Sequence, residues 1–491
     1  VAGFDGYLIA GSALLLISVI SSKITARVGV PSLLVFIALG MLMGSEGIGR
    51  IEFDDPRYAK SFGVLALAMI LFAGGLSTDK KEIRPILRAG LSMGTIAVLV
   101  TTALVGYFAN AVLGSSLLEG LLLGAMISST DAAAVFTVLR GKAIGLRGKI
   151  QPLLELESGA NDPLAVLLTV GFIALIQNQL TSEWNLLPMF LRSLAVGATF
   201  GVLSGKGLRW TLNQLKLEAD GLYPVVTFAS VVLVFASTEA IGGSGFLAVY
   251  LMGLTLGNES FIHKKSLILF HDGMAWLMQI GMFLILGLLV FPSRLVPVAG
   301  QGLLVSVFLI LVARPLAVFL SLWGSQFDWR EKLMISWVGL RGSVPIILAT
   351  YPSLAAIENA DFMFNLIFFI VLTSVLIQGT TISWVAKRLR VEAPSKPRFK
   401  FPMEYAPVQG MKNDLLEIDV PAGAFAVGKS IVEIGVPKEV LIVLIQRAGK
   451  LIVPRGTTPL AAEDSLLVLA TPTAKTELVE RLRVGPQEQP E

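Results

Sequence analysis

Thirteen apolar runs dominate this chain, and they constrain its fold more than any other feature. Read between their polar breaks, they fall at about 5–22, 30–44, 61–77, 87–113, 117–139, 152–178, 186–206, 222–239, 244–257, 271–291, 297–322, 331–351 and 362–387. A run of roughly 17–25 such residues crosses a hydrocarbon core as a helix. A bilayer also forces every backbone polar group to bond within its own segment. The expected fold is therefore an all-α polytopic membrane protein with about 13 transmembrane helices. Composition agrees, with 54% of residues hydrophobic and only 15% charged, against roughly 25% charged in soluble domains. The charge is unevenly spread: residues 1–390 hold 27 Lys+Arg and 22 Asp+Glu, and the last 101 residues hold 12 and 13. A small soluble α/β domain thus follows the membrane part. The first run has no basic residue before it and no cleavage-like stretch after it, so it reads as a true span.

Basic residues alternate from loop to loop, an independent check on the count. Lys23 and Arg27; Lys80, Lys81, Arg84 and Arg88; Arg140, Lys142, Arg147 and Lys149; Lys206, Arg209 and Lys216; Lys264 and Lys265; Arg330 and Lys332; and Lys387, Arg388 and Arg390 all follow odd-numbered spans. Since cytoplasmic loops carry the Lys/Arg excess, the N-terminus is expected outside and the C-terminus in the cytoplasm. The net charge is +4 with no basic block, so nucleic-acid binding has no support. With no Cys and two His, disulfide or redox chemistry is excluded and a zinc site lacks its usual ligands. No cofactor and no enzymatic activity are expected.

Charge deep in lipid costs several kcal/mol and marks function. Counted from the basic ends, Asp131, Asp162, Arg314 and Arg341 come from four different spans to one depth, about 13–15 Å in. In the fifth span Ser128-Ser129-Thr130-Asp131 interrupts an apolar helix with residues that bond locally to backbone, as expected where a helix unwinds around an ion. The sixth reads Glu155-Leu156-Glu157-Ser158-Gly159-Ala160-Asn161-Asp162-Pro163. Pro163 has no N–H for the Gly159 carbonyl. Glu157 lies five positions before Asp162, on another face, and its expected partner is Arg314, as a structural ion pair. The twelfth span is broken at Gly339-Leu340-Arg341-Gly342-Ser343-Val344-Pro345. Paired breaks in two halves point to a transporter of inverted repeats; spans 4–6 and 11–13, seven apart, would have opposite topology.

These residues resemble the bacterial monovalent cation:proton antiporters of the sodium/proton and potassium/proton exchanger type, over about residues 5–390. The matching pieces are Ser129-Thr130-Asp131, the stretch Glu157 to Pro163, Arg314, and Gly339-Leu340-Arg341-Gly342-Ser343. The resemblance implies that Asp162 carries proton and cation by turns. It also implies that Asp131, Ser158 and the main chain at Thr130 help hold the monovalent cation, and that Asn161 steadies the crossed, broken helices. A homodimer set in membrane lipid is implied too. The tail resembles the TrkA-C domain of regulators of potassium conductance over 404–475, after a linker at 391–403 and before a tail at 476–491. It is expected to take a small-molecule regulator and tilts the cation towards K⁺.

The implied function is electroneutral exchange of K⁺ or Na⁺ for H⁺ by alternating access, serving cation, pH and volume homeostasis. The alternatives are a proton-coupled organic anion transporter, with Arg314 and Arg341 on the substrate, and an ion channel gated by the tail. Gly423 to Ser430 matches a phosphate-binding loop pattern, but too little chain follows for a nucleotide-hydrolysing sheet. His263 and His271 are expected to be solvated in a basic loop, and Glu119 and Glu239 to lie at the outer interface.

Overall fold

The computed structural model describes the chain except residues 1–3, 29–30, 54, 142–143, 180–185, 216, 395–413, 438 and 486–491. It divides into two compact units, Val1–Ser395 and Lys396–Glu491.

Among the described residues of the first unit, helices match the thirteen expected spans, eight of them long and apolar enough to cross a membrane and five shorter. They are α1 (Phe4–Val28), α2 (Ser32–Met43), α3 (Pro56–Ser77), α4 (Lys80–Leu113), α5 in two halves (α5a, Leu117–Met126; α5b, Ala132–Gly141), α6 (Ile150–Ile176), α7 (Leu186–Gln214), α8 (Leu222–Ala240), α9 (Gly245–Gly257), α10 (Lys264–Leu288), α11 (Pro292–Ser321), α12 in two halves (α12a, Trp329–Trp337; α12b, Ser343–Leu354) and α13 (Ala360–Leu389). Several start on caps the sequence supplies. Asp55 accepts from Arg57 N at 2.8 Å with Pro56 at the first helical position, and Ser116 with Glu119 and Asp328 with Glu331 form reciprocal capping boxes on α5a and α12a.

The two halves of the repeat share more than their breaks. A π-helical turn runs through α4 at Met93–Ala97, and another through α11 at Leu309–Ala313. Such turns widen a helix by one residue and concentrate at functional places. The second ends immediately before Arg314-Pro315, where the proline has no N–H for the Leu311 carbonyl. Each triplet, α4–α6 and α11–α13, therefore opens with a π-bulged helix and continues with a broken one.

Elsewhere the helices pack by close backbone approach, as lipid-embedded helices must without a hydrophobic drive between them. In α9, Gly253 and Gly257 lie against the backbone of Phe72 and Leu76 in α3, with no room for a side chain at either position. A two-stranded clip joins β1 (Ile144–Leu146), between α5b and α6, to β2 (Glu392–Pro394), just past α13. Leu146 in β1 and Val391, just before β2, are both buried. His271 departs from expectation: α10 begins at Lys264, so His271 lies inside the helix at 1% exposure, with Nε2 2.8 Å from Thr227 Oγ1 and its ring edge-on to Phe72.

The second unit is an antiparallel sheet of order β3-β6-β4-β5, built from β3 (Asp414–Asp419), β4 (Leu441–Arg447), β5 (Lys450–Ile452) and β6 (Ser465–Ala470). The β4–β5 hairpin turns at Ala448-Gly449, both with positive φ. After the phosphate-loop-like stretch comes a helix of only four residues, α14 (Ile431–Ile434). The last helix, α15 (Pro472–Val484), carries the fold past residue 475, because Leu478 and Leu482 complete the core formed by Ile418, Ile434, Ile445, Leu466 and Val468.

Candidate cation and proton site

The two breaks meet. Residues 127–131 of α5 and 338–342 of α12 run past each other, and Asp131 N donates to Leu340 O at 2.8 Å. The guanidinium of Arg341, 1% exposed, donates from Nη1 to Ser128 O at 2.6 Å and Ser129 O at 2.7 Å. Its main chain is fixed by Ser374 Oγ of α13 at 3.1 Å, whose hydroxyl donates to Gln378 Oε1 at 2.6 Å. Helix breaks leave carbonyls orphaned at one end and N–H groups at the other, with partial negative and positive charge respectively. The positive Arg341 sits on the carbonyls past the C-terminus of α5a. Asp131 sits at the opposite pole, where its Oδ1 caps α5b by accepting from Ala134 N at 3.0 Å. Its carboxylate also lies against Gly342, at the start of α12b, so closely that a Cβ there would collide with it.

Asp162 faces this crossing from α6 at 4% exposure, and its Oδ1 accepts from Ser129 Oγ. Asp131 lies within electrostatic reach. Ser158 Oγ is 3.4 Å from Ala132 N, so α6 also touches the start of α5b. Asn161 donates from Nδ2 to Thr130 Oγ1 at 2.7 Å, and Thr130 donates to Glu157 Oε1 at 3.4 Å. Glu157 is engaged by Arg314, Nη1 to Oε1 at 2.6 Å, with both side chains almost fully buried.

Asp162, Asp131, Asn161, Ser158, Thr130, Glu157, Arg314, Arg341 and Gly342 are thus drawn into one connected polar cluster. Among the described residues, both deep arginines are engaged away from Asp162, and no ion pair involves Asp162 or Asp131. Several buried atoms in the cluster have no hydrogen-bond partner: Asn161 Oδ1, Glu157 Oε2, Arg314 Nε, and Arg341 Nε and Nη2. Sequence reasoning did not single out Ser129 as a direct partner of Asp162, nor Ser374. The signal for Ser129 was its place in the broken stretch; Ser374 lies in an ordinary apolar helix and gave none.

Comparison with known proteins places the chain in a family. The profile of the sodium/hydrogen exchanger transmembrane family matches residues 12–388, and that of the TrkA-C domain matches 415–482. The K(+)/H(+) antiporter NhaP2 of Shewanella sp. (strain MR-4) is 40% identical over 472 residues, 95% of this chain and 81% of that protein. The K(+)/H(+) antiporter NhaP of Alkalimonas amylolytica is 38% identical over 93% of this chain and 79% of its own length. The solved sodium proton antiporter MjNhaP1 of Methanocaldococcus jannaschii superposes with a TM-score of 0.67 at 27% identity, covering 78% of this chain and 99% of that one. With two broken helices crossing beside a buried aspartate, and the family profile matched across nearly the whole membrane unit, the chain belongs to the sodium/hydrogen exchanger family.

Proposed function

We propose that this protein exchanges K⁺ for H⁺ by alternating access, with Asp162 as the shared carrier. The observation that carries the reading is a buried aspartate beside a second carboxylate, with no arginine on either among the described residues. Two carboxylates in one low-dielectric site repel each other, so the pair is stable only when a cation or a proton neutralises part of the charge. Either ligand suffices and both together are superfluous, which is competition at one site. Asp131, Ser158 and the Thr130 main chain would complete the cation's oxygen shell. Asn161, tied to Thr130, holds α6 to the broken stretch of α5. With a neutral amide at 161, a single carboxylate changes hands, which favours one cation for one proton and no net charge moved.

Potassium is preferred over sodium because the relatives at 38–40% identity are named K(+)/H(+) antiporters, whereas the Na(+)/H(+) antiporter 1 of Methanocaldococcus jannaschii is 30% identical over 72% of this chain. The organic-anion reading is disfavoured, since Arg314 and Arg341 are buried and already engaged on Glu157 and the Ser128 and Ser129 carbonyls. The loop charges support an outer N-terminus and a cytoplasmic C-terminus, and the resemblance supports a bacterial inner membrane. The resemblance supports a homodimer, and a TrkA-C-like domain that takes a small-molecule regulator.

Cation-induced dequenching of a pH dye in proteoliposomes tests the reading. Wild-type protein should respond to K⁺, and Asp162→Asn should lose the response at least about a hundredfold while inserting normally. Retained exchange in that variant removes Asp162 from its role. A transport rate that follows an imposed voltage defeats the one-for-one stoichiometry.

A further inference from the structure

The break in α12 opens one particular hydrogen bond. In an unbroken helix each N–H donates to the carbonyl four residues back, so Arg341 N would donate to Trp337 O. Here α12a ends at Trp337 and α12b starts at Ser343, which parts the two groups. Each is taken up by a side chain of α13. Arg341 N donates to Ser374 Oγ at 3.1 Å, and Gln378 Nε2 donates to Trp337 O at 2.7 Å. The Ser374 hydroxyl then donates to Gln378 Oε1 at 2.6 Å and closes the circuit. A bridge of two side chains thus stands where one backbone bond would be.

Ser374 and Gln378 are each 1% exposed and lie four apart on one face of α13. A backbone group buried without a partner costs free energy comparable to a lost hydrogen bond, and without the bridge the break would leave two of them. The amide orientation follows from its partners. Reversed, it would set Oε1 against the Trp337 carbonyl, acceptor on acceptor. Hydroxyls within helices commonly donate to the carbonyl four residues back, as Thr169, Ser306 and Thr381 do here. Ser374 turns its proton to Gln378 instead. The first triplet meets the same need differently. Asp131 N, which would reach Ile127 O in a continuous helix, donates to Leu340 O, while α6 supplies Ser158 and Asn161. Helices α6 and α13 hold the same place in their triplets: α6 brings Asp162 to the crossing, and α13 brings a neutral brace.

We propose that Ser374 and Gln378 are positioning residues for the exchange. By fixing Arg341 N relative to Trp337 O, they set where the Arg341 guanidinium lies on the Ser128 and Ser129 carbonyls, and so where the Ser129 hydroxyl meets Asp162. Both act through Arg341 and neither is a cation ligand. The inference rests on Asp162 being the carrier and extends the support of its site to α13.

The test uses full-length protein in proteoliposomes, with K⁺ titrated against dye dequenching and rates corrected for the amount inserted. Ser374→Ala strands Arg341 N and Gln378 Oε1, and should raise half-saturating K⁺ about threefold to tenfold. Gln378→Leu should raise it by a similar factor, and reads the same quantity should the alanine variant not insert. The double variant should be no worse than about twice the more severe single one, because both residues belong to one bridge. Ser374→Thr keeps the hydroxyl and should stay within about twofold of wild type. Thr381→Val is the control on the same helix: it removes the acceptor of Trp337 Nε1, 3.1 Å away, without touching Arg341, and should leave half-saturation unchanged. A fall in maximal rate alone in Ser374→Ala and Gln378→Leu would reduce the bridge to a strut and overturn the positioning role. Independent effects in the double variant, a threonine variant that behaves like alanine, or an equal rise in Thr381→Val would overturn it too. Such a failure is distinguishable from that of the parent reading, which falls only if Asp162→Asn still exchanges.

Discussion

Each unit of this protein holds a buried carboxylate with an arginine, and the two pairs are built differently. In the tail, Asp464 is fully buried, yet both its oxygens are used: Arg447 Nε and Nη2 reach them at 2.8 and 2.7 Å, and Ala461 N donates at 2.7 Å. Arg447 remains about a third exposed, so its charge is partly solvated. In the membrane unit, Glu157 and Arg314 meet at 2.6 Å with neither in water, and Glu157 Oε2 and Arg314 Nε stay unpartnered. Among the described residues, every buried side-chain atom lacking a partner lies in the membrane unit, several of them at the crossing of α5 and α12. The tail pair has what a structural pair needs. The crossing keeps polar capacity in reserve, the arrangement expected where a site must accept different ligands in turn.

The sharpest way to break this comparison is to remove the arginine from each pair. Arg314→Met should destabilise the membrane unit by about 3–5 kcal/mol, because Glu157 is left charged and alone, and should abolish exchange. Adding Glu157→Gln should recover most of the thermal stability. If the pair is only a strut, exchange should return with it; if the reserve is functional, stability returns and exchange does not. Arg447→Met should cost the tail sheet about 3 kcal/mol, read as lost amide protection in β4 and β6, with maximal exchange rate altered less than about twofold. Loss of transport equal to that of Arg314→Met would erase the distinction between the two pairs. Gly342→Ala comes next in size. Its new Cβ lands on the Asp131 carboxylate at the start of α12b, so exchange should fall at least about tenfold while thermal stability drops by about 1–3 kcal/mol.

The membrane unit was the more legible of the two in sequence. Thirteen apolar runs and alternating basic loops fix the crossings because the bilayer leaves a helix no other choice, and the short polar breaks stand out against that background. Depth could be counted for Asp131, Asp162, Arg314 and Arg341 for the same reason. What could not be read were contacts in which one partner is backbone. Arg341 on the Ser128 and Ser129 carbonyls, and Asp131 N on Leu340 O, depend on how two breaks cross, and a carbonyl has no residue identity to betray it. His271 misled for another reason. A polar residue beside lysines reads as loop, but α10 begins at Lys264, and Thr227 of α8 satisfies one ring nitrogen within the bundle. In the tail, the return to an ordinary charge content marks a separate small domain. Helix α15 runs past the expected boundary at 475; it is charged on its outer face, and Ala474, Leu478 and Leu482 tie it to the core.

The smallest effect belongs to the tail's capping box, and it sharpens the contrast between a surface carboxylate and the buried ones. Ser430 Oγ and N both donate to Glu433 Oε2 at 2.7 Å, and those two bonds hold the Glu433 carboxyl below its usual range, with Lys429 adding a little. A depressed folded-state value means that the contribution is present above the ordinary carboxylate range and is lost as pH falls through the lowered one. Ser430→Ala removes the cap and should cost about 1 kcal/mol near neutral pH. The difference between the variant and wild type should shrink towards acid pH, as Glu433 takes up its proton. Thermal melts of the tail signal at several pH values read this directly. A cost that stayed constant below the carboxylate range would place the stabilisation in the Ser430 hydroxyl's bond to the Glu433 N–H alone, and would take Glu433 out of the cap.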